Sequence, residues 1–197
     1  MTDADGLWLA TLQQVVDRAA HEVKDALNGV TLNVEVVRSR SGRVELPAAA
    51  IGPFAEAAAS QLETLGRRVE ALLVLCRPAR NPADVALTLK HLSELLVPAA
   101  HADGGRLSVD GLTRTAPTSA PGTIVRLGLA AGLLAVSGKG RQGRCVLENG
   151  AETVVRFSHE SAGACDLDPA TAAALAGHAV RIERSPADLT LVFPGNS

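Results

Sequence analysis

The sequence predicts an α+β protein, an antiparallel helical hairpin forming a dimeric four-helix bundle followed by a small α/β sandwich. Three observations predict it. Apolar residues recur at alternating spacings of four and three over two long stretches before Cys76. After Cys76 the text breaks into shorter helical and strand-like runs divided by glycine and proline. The length of 197 residues, with 47% hydrophobic and 20% charged residues, is enough to bury a substantial core.

The first stretch carries Leu12, Val16, Ala19, Val23, Ala26, Val30 and Val37, with Leu27 and Val34 broadening the stripe. The second carries Ile51, Ala55, Ala58, Leu62, Leu65, Val69, Leu72 and Cys76. Both are heptad seams and predict long helices. Between them Gly42 suits the end of the first helix, while Pro47 and Pro53 suit a turn or the first turn of the second. So short a connection makes the helices antiparallel. Two helices shield only one side of each other, so the remaining seam is expected to pair with a second copy, giving a homodimer. The alternative is a monomeric hairpin whose seam packs on the rest of the chain. The expected division is residues 1–78 for the hairpin and residues 79–197 for the sandwich.

Pro78 and Pro82 bracket Asn81 in a linker that ends in a helix start. A helix from Ala83 to about Ala102 follows, stopped by Gly104 and Gly105, and then a strand in RLSVDGL. TRTAPTSAPGT reads as a loop. Ile124 to Val136 is nearly uncharged and apolar all round, which predicts a buried helix. RCVLENG and ETVVRFSHE form a hairpin around Asn149-Gly150; a short helix from Pro169 to Gly177 and the strands HAVRIER and LTLVFP close the chain.

Composition excludes several functions. Aromatic residues make up 2%, with no Tyr, so stacking platforms for single-stranded nucleic acid are missing. A net charge of −2 and a pI near 6.2 give no broad phosphate-binding surface, so no nucleic-acid partner is expected. Cys76, Cys145 and Cys165 are far apart and form no CxxC pair, which suggests neither a disulfide framework nor a metal site and fits reducing cytosol. The acidic start MTDADGLWLA and the lack of a long apolar run predict a cytoplasmic chain with no membrane segment. Trp8 leaves two options open, an extension of the first helix or a cap on the bundle.

The chemistry is expected at His21. It lies two positions beyond the seam residue Ala19 and so faces water, on a polar face with Asp17, Lys24, Asp25 and Asn28. An exposed imidazole beside a carboxylate can present one ring nitrogen as a nucleophile while the other keeps its proton. His91, His101, His159 and His178 show no metal-ligand spacing. GLLAVSGKG departs from the phosphate-loop pattern in spacing and in ending on Gly140, and Lys139, Arg141 and Arg144 read as a solvated turn.

The segment HEVKDALNGVTLNVEVV, His21 to Val37, resembles the phosphoacceptor box of bacterial sensor histidine kinases, matching at His21, Glu22, Val23, Lys24, Leu27 and Asn28. The hairpin is similar to their dimerisation and histidine-phosphotransfer domain, and the element order from Ala83 to Pro194 to their Bergerat-type ATPase domain. The resemblance implies His21 as phosphoacceptor and Glu22 as the group that orients the ring and accepts its second proton. It also implies receiver domains of response regulators as partners, docking on Asp17, Lys24, Asp25 and Asn28.

The departures matter as much. Ile124 to Val136 holds no Asn, none occurs between Asn81 and Asn149, and SAGACDLDP stands where the family has a glycine-rich aspartate box. The metal ligand that supports transfer from ATP is missing, so no cofactor and no metal are expected on this chain; Mg2+ is expected on the partner receiver. Asp25-Ala26 replaces Asn or Thr followed by Pro, which removes the helix bend and makes phosphatase action doubtful. The expected function is a histidine phosphotransferase of a multistep phosphorelay that does not use ATP. The alternative is a non-catalytic pseudokinase adaptor that binds a receiver or a kinase, and an ATP-dependent kinase is the third reading.

Overall fold

The computed structural model describes residues 3–41, 50–79, 81–112, 115–150, 152–160, 165–185 and 188–195. Two long helices, α1 (Ala4–Ser41) and α2 (Gly52–Cys76), form the antiparallel stem. Then come β1 (Ala83–Asp84), α3 (Val85–Ala102), β2 (Arg106–Asp110), β3 (Pro117–Thr118) and α4 (Gly122–Val136). The chain closes with β4 (Gln142–Asn149), β5 (Thr153–His159), α5 (Pro169–Ala176), β6 (Arg181–Arg184) and β7 (Asp188–Phe193). The fold is the expected hairpin plus α/β sandwich. Gly42 and Pro47 lie outside the described residues.

The five-stranded sheet has the order β2-β4-β5-β7-β6, with β2 parallel to β4 and the other pairs antiparallel. Asn149 pairs with Thr153, so it belongs to the strand ladder rather than to the turn expected at Asn149-Gly150. The Pro/Ser/Thr segment read as plain loop contributes β3, which pairs with β1 and ties the entry of α3 to that of α4. Asp84 caps α3 by accepting from Leu87 N at 3.0 Å. Asn81 accepts from Gly122 N at 2.8 Å and so caps α4 rather than the helix that follows it in sequence.

Helix α4 lies between α1 and the sheet and is almost wholly buried. Its glycines make room for the sheet and α5: a Cβ on Gly132 would stand 2.5 Å from Phe157 Cζ of β5, and one on Gly128 would stand 2.9 Å from Leu175 Cδ2 of α5. Phe157, Phe193 and a large set of Leu, Val and Ala residues fill the core.

That core does not stop at the sandwich. Trp8, Leu12, Val15 and Ala19 of α1 and Ala71 and Leu75 of α2 belong to the same buried cluster as α3, α4 and the sheet. Trp8 therefore extends the first helix and packs beneath it. Only the base of the stem is covered in this way. Farther along, Leu27 and Val34 on α1 are 52% and 49% exposed, and Leu62 and Val69 on α2 are 51% and 41% exposed. Cys76, placed in the second seam by its spacing, is exposed. Where α1 and α2 meet, Gly29 admits Gln61, whose Nε2 would lie 2.6 Å from an added Cβ, and Asn33 donates to Gln61 Oε1 at 3.0 Å. No described helix is long and apolar enough to cross a membrane.

A buried basic side chain helps join stem to sandwich. Arg126 of α4 is buried and donates to the carbonyls of Val74 at 3.0 Å, Leu75 at 3.2 Å and Arg77 at 2.6 Å, the C-terminal end of α2. Its guanidinium carbon also sits 5.9 Å from the centre of the Trp8 ring. The unpaired carbonyls at a helix C-terminus carry partial negative charge, so they satisfy the guanidinium without a carboxylate.

Candidate functional site

Helix α1 runs unbroken through His21, as expected from Ala26 in place of a proline. At about 100° per residue, His21 projects on the side away from Leu27 and Val34. Its side chain is 71% exposed, and Nε2 lies 3.2 Å from Asp25 Oδ2, one turn along the helix. Asp17, Lys24 and Asn28 are exposed on the same face, so four of the five residues expected around His21 gather there.

Glu22 is the exception. Its side chain is turned into the stem, where Oε2 lies 3.8 Å from Arg68 Nη2 on α2, and Arg68 donates to the Glu22 carbonyl at 2.9 Å. Adjacent helix residues point about 100° apart, so a carboxylate at the next position cannot share a face with the ring. In this geometry the carboxylate paired with the imidazole is that of Asp25, while that of Glu22, expected to orient the ring, faces Arg68. The pair of His21 and Asp25 supplies what a nucleophilic imidazole needs, one nitrogen facing an acceptor and the other open.

Three residues that sequence reasoning passed over frame the site. Arg68 fixes Glu22. Arg18, one turn before His21, donates to the Ser137 carbonyl and, at 3.0 Å, to Ser137 Oγ at the end of α4. Arg126 holds the far end of the joint. The signal for Arg126 was legible, because a lone charge in an otherwise apolar buried helix has to find acceptors; Arg18 carried no such signal, since its partner is remote in sequence.

The basic turn after α4 is less free than its sequence suggests. Arg141 donates to the Ala135 carbonyl at 2.8 Å, and Arg144 Nε donates to Asp110 Oδ2 at 3.1 Å. Lys139 is exposed and has no ion-pair partner among the described residues. The described part of α4 presents only apolar side chains and Arg126 toward the core. Among the described residues, no group of three or more His, Cys, Asp or Glu is placed to hold a metal ion. A cavity of about 370 Å³ lies elsewhere, between the end of α2 and the starts of α3 and α4, lined by Glu70, Asp84, His91 and Arg126 among others. Burial there lowers the pKa of His91, against the opposing pull of Glu70.

No protein-family model matches the chain, and no curated protein is significantly similar to it. Among solved structures, the chain is similar to the histidine kinase domain of a blue-light activated histidine kinase from Erythrobacter litoralis EL346, at 16% identity and a TM-score of 0.38, over 97% of this chain and 93% of that one. It is similar to the Acinetobacter baumannii histidine kinase AdeS at 10% identity and a TM-score of 0.40, covering 90% and 98%. A histidine kinase from Burkholderia phymatum STM815 gives 14% identity and a TM-score of 0.39, covering 91% and 96%.

Proposed function

We propose that the protein is a cytoplasmic histidine phosphotransferase of a two-component phosphorelay, working as a homodimer and exchanging phosphoryl groups with receiver domains without using ATP. The observation that carries this reading is His21, 71% exposed on a helical stem with Asp25 at 3.2 Å. In the forward step a ring nitrogen of His21 attacks the phosphorus of a receiver's phosphoaspartate in line. The N–P bond forms as the P–O bond to the aspartate breaks, and the aspartate leaves as a carboxylate with the electron pair. The proton on the other ring nitrogen is shared with Asp25 as the ring gains charge. Charge on the transferring group is met mainly on the receiver's side, where bound Mg2+ is expected.

The lack of any Asn in α4, the helix that carries the metal ligand in the kinases the sequence resembles, supports a reading without ATP. The exposed apolar residues Leu27, Val34, Leu62 and Val69 support the homodimer, since they recur at heptad-compatible spacing on the stem. On α1, His21 points away from Leu27 and Val34, which leaves it accessible in a pair that meets through them. The test is incubation with a panel of phosphorylated receivers, followed by assay for acid-labile phosphate on this chain. Label that is lost in His21→Ala supports the relay; equal labelling of both proteins refutes it.

The turning of Glu22 toward Arg68 favours the second reading, a non-catalytic pseudokinase adaptor in which the His21-Glu22 pair does no joint chemistry. Capture of a receiver that survives His21→Ala with unchanged signalling output would select it.

A further inference from the structure

Helix α4 lies alongside the base of α1 and runs in the same direction. Near their starts Thr123 Oγ1 donates to Asp5 Oδ1 at 3.2 Å, and at the far end Arg18 holds Ser137. Since Arg18 precedes His21 by three residues, α4 ends one helical turn short of the imidazole. The chain then turns through Gly138 to Arg141, with Arg141 N donating to the Gly138 carbonyl at 2.9 Å and Gly140 at φ +70°. That φ suits glycine and keeps the turn tight. Arg106 N donates to the Arg141 carbonyl at 2.8 Å, which brings a second exposed basic residue beside the turn.

The distribution of charge gives this arrangement a meaning. Around His21 the exposed face of α1 carries Asp17 and Asp25 against one cation, Lys24. A receiver ready to donate presents a phosphoaspartate among carboxylates that hold its metal, so two acidic faces would oppose each other there. Arg18 and Arg141 cover the terminal carbonyls of α4 and so mask the negative pole of that helix. Lys139 has no ion-pair partner among the described residues. A docking footprint of about 800 Å² per partner, centred on His21, is wide enough to reach the turn.

We propose that the turn from Ser137 to Arg141, pinned to α1 by Arg18, is the lower half of the receiver-docking surface, and that Lys139 recognises the acidic rim of the receiver's phosphorylation site. The inference rests on the relay reading and adds to it a contact from the sandwich. It gives the sandwich a role that needs no nucleotide.

The test uses the full chain and a panel of receiver domains phosphorylated with acetyl phosphate. Transfer kinetics are measured for wild type, Lys139→Glu, Lys139→Arg and, as a control on α3, Lys90→Glu. For the receiver that labels His21, Lys139→Glu is expected to raise the half-saturating receiver concentration about tenfold, with the rate at saturation little changed. Lys139→Arg restores it, Lys90→Glu matches wild type, and the defect shrinks as salt rises. Circular dichroism and melting temperature of Lys139→Glu stay at wild-type values, because the side chain is exposed. Transfer to His21 with wild-type half-saturation in Lys139→Glu overturns the docking assignment alone. No transfer to His21 from any receiver overturns the relay reading, and the docking assignment with it.

Discussion

Replacing Arg126 with Met removes the guanidinium while keeping an unbranched chain beneath Trp8. Three hydrogen bonds from a charged donor are lost, at 3.0, 3.2 and 2.6 Å. Bonds of this kind contribute about 1.5–3 kcal/mol each when measured singly, so a naive sum gives about 4–9 kcal/mol. Two effects reduce it. The variant no longer bears the desolvation cost of a buried cation, the same cost that lowers the pKa of Arg126. The carbonyl-bearing residues Val74, Leu75 and Arg77 also line the 370 Å³ cavity, so water can reach part of the vacated end of α2. A net loss of about 2–3 kcal/mol remains, worth about 5–10 °C in melting temperature for a chain of this size. Thermal unfolding followed by circular dichroism measures it, with Arg126→Lys expected between wild type and Arg126→Met. A shift under about 2 °C would refute the reasoning that α2 is anchored through its carbonyls. Because the core is continuous, wild type is expected to unfold in one cooperative transition; two well-separated transitions would show that stem and sandwich are independent.

Leu62→Glu, at an exposed apolar position of the stem, is expected to convert dimer to monomer in sedimentation while leaving helicity intact; a wild type that is already monomeric at micromolar concentration would sink the pairing. A thiol reagent at pH 8 should modify Cys76 quickly and the other two only after unfolding, because burial pushes the Cys165 thiol up to about 11 and that of Cys145 higher still; fast modification of all three thiols in the native protein would contradict the buried placement. His91 is neutral-favouring in the folded protein, so the unfolded chain takes up more protons as pH falls through its ordinary value near 6.5. Stability should therefore decline below about pH 6.5, and His91→Gln should flatten that slope; an unchanged slope in urea titrations would place the acid sensitivity elsewhere. Gly132→Ala is expected to destabilise by about 1–3 kcal/mol despite its better helix propensity, since the new methyl meets the Phe157 ring at 2.5 Å; a neutral effect on the urea midpoint would show that the ring gives way.

Much of the fold was legible in the sequence because its signals are local. The heptads of Leu12 to Val37 and Ile51 to Cys76, the apolar-all-round run at Ile124 and the glycine punctuation each fix an element from a few neighbours. Pairing over long distance was not legible. Nothing in PT of Pro117-Thr118 announces a strand, because its partner Ala83-Asp84 is remote, and Asn81 caps a helix that begins well beyond its neighbours. The same divide runs through the site. The exposure of His21 followed from its distance from Ala19, and the contact with Asp25 from a spacing of four. The loss of Glu22 to Arg68 required knowing where α2 lies. So did the division of labour in the basic turn, where Arg141 and Arg144 are engaged and Lys139 is not.

The hold of Arg18 on Ser137 sets the azimuth of everything above it on α1. With that anchor fixed, helical phase alone decides which way His21 faces, and the two intervening residues leave no slack. A single alanine inserted between Arg18 and His21 would swing the imidazole through about 100°, whereas four would nearly restore its bearing and lift it by about 6 Å. Chain length between these two residues is therefore under tighter constraint than the identity of the residues themselves.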